Sequence, residues 1–325
     1  MKQEEIARTL GISKTTVSRA ISGNGRVGKN TREKVLKLWN GEHAGETGER
    51  KRTKNICVAI PLDALIDSNH FFTDVLYGVC ESVDGTDYDV MIIRTSENDI
   101  SEIERVVKEE KTDGIILTRS LENDKALKFL SEQDFPAAVS GHTSFGNVIS
   151  VDIDNEKAAK DLTSLLIAMG YRRFTTIIGN LGYKVNKSRR KGFIRGIAEN
   201  GLSPEKQVIY TGEFSTSALE RIASDIVSNK TECVVCGDDD MAVKVMSWLR
   251  NEGYRIPKDV GIASLYNSSA LKVLTPNVTA VDASSRNIGM VLGRQLVNKL
   301  EGEKFNYKTE VDYEILIRKS TQKVN

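Results

Sequence analysis

Three spacings in this sequence could carry recognisable chemistry. Cys233-Val234-Val235-Cys236 has the C-x-x-C spacing of a redox dithiol or half a zinc site. Asp238-Asp239-Asp240 follows it and offers carboxylates to a hard cation. Gly23-Asn24-Gly25-Arg26-Val27-Gly28 fits the G-x-G-x-x-G pattern that cradles a dinucleotide. Each chemistry depends on the elements behind it. A dinucleotide turn needs a preceding strand and a following helix; a helical pattern precedes this one, so it reads as a loop. The two cysteines share one apolar, strand-like run, where positions three apart point to opposite faces, so they read as core. No cluster with ligand spacing accompanies the aspartates, and the three histidines (His43, His70, His142) show none either. No Ser/His/Asp order or nucleophile elbow occurs. No metal, cofactor or catalytic site is therefore expected.

A different chemistry lies in the first forty residues. They carry nine basic side chains against three acidic ones, a surplus of +6, while the whole chain sums to +1, leaving −5 for the remainder. A basic module on a mildly acidic body is the footprint of a phosphate-binding head. Ile6 and Leu10 share one helix face, and Val17 and Ile21 repeat the spacing. Between them Gly11 can end a helix in the left-handed conformation, and Ser13 is a good cap for the next. Thr31, Val35 and Leu38 signal a third helix. The pattern is a helix-turn-helix, and Lys14, Thr15, Ser18 and Arg19 lie off the apolar stripe of its second helix. Lys and Arg can bond guanine O6 and N7, and hydroxyls can meet bases or phosphates.

The run from Ile6 to Gly23, with Thr31-Arg32-Glu33-Lys34-Val35-Leu36, resembles the head of the lactose-repressor (LacI/GalR) family. The resemblance implies that Lys14, Thr15 and Arg19 face the bases. The expected DNA-binding set is Lys14, Thr15, Thr16, Ser18 and Arg19.

From Asn55 onward, short apolar runs alternate with helical periods. The runs are 56–60, 90–93, 114–117, 137–139, 175–178, 208–210, 233–236 and 260–263. Such alternation implies βαβ units and mainly parallel sheets, with more strands than one compact sheet holds. The helix over 155–170 opens a second lobe. The family resemblance continues through Asn69-His70-Phe71-Phe72, Thr112 to Leu117, Val151-Asp152-Ile153-Asp154-Asn155, Met169 to Phe174 and Leu274-Thr275-Pro276. It implies an α/β fold of two Rossmann-like lobes, similar to type I periplasmic sugar-binding proteins. The expected plan is a head over 1–40, a linker over 41–54 and an effector-binding and dimerisation domain over 55–325. Lobe 1 would hold 55–154 and 283–304, and lobe 2 would hold 155–282 and 305–325. The crossings would fall near Asp154, Asp282 and Phe305.

By the same resemblance, Phe72, Arg189, Asp238 and Tyr266 line an effector pocket between the lobes. Asp238 stands where the family usually has Asn. Tyr266 stands where it usually has an Asp that grips sugar hydroxyls, which argues against an ordinary free monosaccharide. Members also carry a hinge helix with a Leu wedge after the head. Here Asn40 to Arg52 has no Leu, and Gly41, Gly45 and Gly48 disfavour helix, so a flexible tether is expected. The implied protein is a homodimeric transcriptional regulator, in the repressor sense, that reads a pseudo-palindromic operator in double-stranded DNA under control of a small effector, a sugar or sugar derivative among the candidates. A periplasmic-type solute carrier is the alternative, opposed by the basic head and by an N-terminus without the apolar core of a secretory signal. No apolar stretch reaches bilayer length, and a cytoplasmic location without membrane contact is expected. Four cysteines in 325 residues suit buried thiols better than disulfides.

Overall fold

A computed structural model of the chain describes residues 3–22, 27–28, 31–32, 34–35, 38, 52–62 and 70–322. The tether expected over 40–52 lies almost wholly outside the described residues, as do most of the Gly23–Gly28 loop and Asn69. The chain divides into two compact units, Met1–Thr53 and Lys54–Asn325.

In the first unit, α1 (Gln3–Leu10) and α2 (Lys14–Ser22) flank a turn in which Gly11 has φ +64°. A side chain is strained in that conformation and glycine is not. The Ser13 hydroxyl accepts from the Thr16 backbone N–H at 3.1 Å, satisfying one of the free donors at the start of α2. Ile6, Val17, Ala20 and Val35 are fully buried, with Leu10, Ile21 and Leu38 packed against them. Residues 31–32, 34–35 and 38 are helical.

Among the described residues the second unit contains two six-stranded sheets. The strands are β1 (Asn55–Pro61), β2 (Asp89–Thr95), β3 (Gly114–Leu117), β4 (Ala137–Ser140), β5 (Ile149–Asp152) and β6 (Phe174–Ile178). They continue as β7 (Val208–Thr211), β8 (Cys233–Cys236), β9 (Gly261–Ser264), β10 (Thr279–Asp282), β11 (Lys308–Glu310) and β12 (Glu314–Leu316). The orders are β11-β5-β4-β3-β1-β2 and β12-β10-β9-β8-β6-β7. All neighbours are parallel except β10 and β12. Strands covered on both faces read as continuous apolar runs, and β3 and β8 are buried throughout. Cys233 and Cys236 join different core clusters, as opposite faces of one strand require.

Both lobes use the same device to bring two helices together. In lobe 1, helix His70–Ser82 packs on helix Ser285–Glu301; a Cβ on Gly78 would strike the Arg286 carbonyl, and one on Gly289 the Val75 carbonyl. In lobe 2, helix Asn155–Ala168 packs on helix Lys184–Glu199, and Gly192 sits against the Glu156 carbonyl in the same way.

Two expectations are corrected. Lys308–Glu310 pairs with β5 and stays in the first sheet, while Glu314–Leu316 pairs with β10 in the second. The third crossing therefore falls at 311–313 rather than near Phe305, because the chain adds an edge strand to lobe 1 before leaving it. Cys57, Cys233 and Cys236 are buried, but Cys80 is exposed on its helix.

Candidate DNA-reading face and interlobe cleft

Lys14, Thr15, Ser18 and Arg19 are all exposed on α2, opposite the buried Val17 and Ala20. Thr16 is placed differently. It is half-buried, and its hydroxyl lies 2.8 Å from that of Ser13, so it serves the cap at the start of the helix. Lys14 is not solitary either: its ammonium meets a Glu4 carboxylate oxygen on α1 at 2.6 Å.

In each sheet the strand order reverses between the first strand and the third, β1/β3 and β6/β8. Open α/β sheets bind ligands beyond the carboxyl ends of their strands at such a switch point. Gly237 and Asp238 directly follow β8, and the Arg189 guanidinium donates through Nη1 to the Gly237 carbonyl at 2.8 Å. Asp238 also caps helix Asp239–Asn251, accepting from the Met241 N–H at 2.9 Å. Burial pushes the Asp238 carboxyl up to about 6, although Arg189 pulls the other way. Burial likewise raises the Asp152 carboxyl, opposed by His142 and Arg189. Arg189 itself is lowered by burial, while Asp238, Asp152 and Asp239 oppose that shift. Its Nε is sealed from solvent and meets no hydrogen-bond acceptor.

Tyr266, two residues past β9, is 4% exposed and reaches the first lobe. Its hydroxyl donates to Asp74 Oδ2 at 3.3 Å and lies 3.2 Å from Ser285 Oγ, which donates to the same carboxylate oxygen. Phe71 meets the Tyr266 ring edge to face at 5.8 Å. Phe72 packs on Phe71 at 5.4 Å and is half-buried, so it joins Tyr266 through its neighbour. A second bridge links His70 Nδ1 to Asp239 Oδ2 at 2.8 Å. Further along the cleft, the Glu122 N–H donates to the Gly182 carbonyl and Lys187 pairs with Glu122.

Arg189, Asp238 and Tyr266 therefore converge, with Phe72 one ring away. Sequence reasoning missed His70, Asp74, Asp152, Asp239 and Ser285. His70 and Asp74 had a usable signal: they sit four residues apart, on one face of the helix His70–Ser82. Among the described residues no helix is long and apolar enough to cross a membrane, and no group of three His, Cys, Asp or Glu side chains is placed to hold a metal.

The profile described as bacterial regulatory proteins, lacI family, matches residues 3–40, and that of a periplasmic binding protein-like domain matches residues 163–321. The chain is 30% identical to the HTH-type transcriptional regulator RegA of Clostridium saccharobutylicum over 334 residues, covering 98% of each. It is 26% identical to catabolite control protein A of Priestia megaterium, again over 98% of each chain. Among solved structures it resembles a probable maltose operon transcriptional repressor of Staphylococcus aureus, with TM-score 0.77 and 25% identity over 84% of this chain and 99% of that one. A reading head, paired α/β lobes and full-length regulatory relatives leave neither a carrier nor an enzyme as the reading: the chain belongs to the lacI family of bacterial transcriptional regulators.

Proposed function

We propose that this regulator acts as a homodimeric repressor, reading a pseudo-palindromic operator through Lys14, Thr15, Ser18 and Arg19, with Thr16 holding the start of the reading helix. A small effector is taken up between the lobes by Phe72, Arg189, Asp238 and Tyr266. The observation that carries the effector site is the position of Arg189 at the lobe-2 switch point, half-buried, with its Nε–H shut off from water and unmatched. A ligand there touches both lobes, and it shifts the protein only if it favours one lobe arrangement over another. Two heads related by a two-fold axis match two half-sites in the major groove.

Two substitutions test the two ends. Arg19→Ala is expected to weaken operator binding by about 1–3 kcal/mol and binding to random DNA far less. Equal losses on both would make Arg19 a phosphate contact. Arg189→Ala is expected to leave effector-free operator binding intact and to abolish the effector response. An unchanged response in a gel-shift titration would remove Arg189 from the site.

A further inference from the structure

We infer that the cleft takes a small polyhydroxylated ligand bearing a protonated amine, an amino sugar. This rests on the reading of the cleft as the effector site. Four carboxylates face the cleft, Asp74, Asp152, Asp238 and Asp239: Arg189 acts on the last three, and the Arg286 guanidinium, already paired with Glu81, acts on Asp74, so negative charge stays in excess. The remaining basic groups do not redress the balance. His70 is already bonded to Asp239, and His142 lies beside Asp152. Lys184 donates to the His142 carbonyl at 3.2 Å but also faces Asp124.

Each of the four carboxylates has one engaged oxygen. Asp74 Oδ2 holds Tyr266 and Ser285, Asp152 Oδ1 holds Ile153 N and Asn155 Nδ2, Asp238 Oδ1 holds Met241 N, and Asp239 Oδ2 holds His70. The second oxygen of each meets no hydrogen-bond donor among the described residues. An anionic ligand would add to the surplus of negative charge. A neutral sugar would leave that surplus uncompensated as the lobes shed water, and uncompensated buried charge is unfavourable. An ammonium supplies the missing charge and three donors.

A simple alkyl diamine would match the carboxylates but not the guanidinium. The sealed Arg189 Nε needs an acceptor, which a ring hydroxyl provides. Phe71 and Phe72, both half-buried and backed by Tyr266, supply apolar and quadrupolar surface for a ring and for a cation at its edge. The Asp at position 238 adds negative charge directly at the switch point.

Isothermal titration of the full-length chain at pH 7.5 decides this, with glucosamine, galactosamine and mannosamine set against glucose, galactose, mannose and gluconate. At least one amino sugar is expected to bind, with its parent hexose at least about tenfold weaker, and Asp238→Asn is expected to weaken the amino sugar by at least about tenfold. Asn keeps the helix cap, so this variant folds. Silence of all three amino sugars, or a parent hexose or gluconate binding as tightly, overturns the proposal. The underlying reading fails separately. If a hexose or gluconate binds and Arg189→Ala abolishes it, the effector site stands and only the amine is wrong; binding indifferent to both Arg189→Ala and Asp238→Asn removes the site itself.

Discussion

The exposed face of α2, proposed to read DNA, and the interlobe cleft are both built from polar side chains, yet their surroundings are opposite. On α2 the charged groups stand in water, and the Lys14–Glu4 pair leaves both side chains about 60% exposed. In the cleft Tyr266 and Asp239 are almost wholly buried, and each polar group is bonded to one from another element. Water screens the first set, so its members act almost independently. In the cleft, screening is weak and each charge state depends on its neighbours. Substitutions on the reading face should therefore alter binding with little effect on folding, and substitutions in the cleft should alter both.

The largest expected effect sharpens that contrast. The Asp238 carboxyl sits at about 6 rather than its ordinary 3.8 because burial disfavours its charged form. A carboxyl raised by folding contributes its full stability below pH 4. That contribution is lost as pH rises toward and through 6, because the charged form must then be carried in the folded state. Asp238→Asn removes this penalty and keeps the cap. Urea unfolding at pH 8 should show a gain of about 2–3 kcal/mol, using about 1.4 kcal/mol per pH unit, and the gain should vanish by pH 4. A gain that does not change with pH would mean that burial of the charge is not its source.

Removing the neighbouring cation has the opposite sign. Arg189→Ala takes away the charged donor to the Gly237 carbonyl and leaves Asp152 and Asp238 without their opposing charge. A hydrogen bond to a charged group is worth about 1.5–3 kcal/mol, and a loss of that order is expected at pH 8. At pH 5 the loss should be smaller, since the two carboxyls can then take up protons. A loss equal at both pH values would place the effect in packing alone.

The contrast also explains what the sequence disclosed. The Gly11 turn, the Ser13 cap and the apolar strand runs are local signals, and each is written within a few residues. Eight strands were visible on that basis. β5 and β10 have only four residues each, ending in Asp152 and Asp282, and β11 and β12 are three-residue strands with polar or half-exposed positions. Length alone does not hide them, since β3, β4, β8 and β9 are equally short; Ser150 and Asp152 break up β5, Thr279 and Asp282 bound β10, and β11 and β12 are mostly polar or exposed, so none presents a continuous apolar run. The cleft depends on contacts between distant positions: Tyr266 and Asp74 lie 192 residues apart. No spacing rule brings them together, and a family pattern points only to positions it already occupies. Asp239 shows the same limit at close range. It adjoins Asp238 in a conspicuous acidic run, but the strand-to-helix corner turns Asp238 to the cap and Asp239 to His70.

The smallest expected effect lies on α1. Glu4 is in the first turn of α1, where a negative side chain complements the helix N-terminus, and the Lys14 hydrogen bond holds its carboxyl below the usual range. Without DNA, Glu4 therefore occupies the ammonium that a base or phosphate would need. Glu4→Gln frees Lys14 and removes a negative charge beside the reading helix, at the expense of the favourable contact with α1. The two consequences have opposite signs: a slight fall in the unfolding midpoint of the head and a severalfold gain in DNA affinity. The gain should be larger at low salt and shrink as screening increases, and it should appear on operator and random DNA alike, because relief of charge competition carries no sequence information. Fluorescence anisotropy at two salt concentrations checks both points. If Glu4→Gln instead weakens operator binding and leaves random DNA unaffected, the Glu4 contact serves to aim Lys14 at a base, and the reading face is as coupled as the cleft.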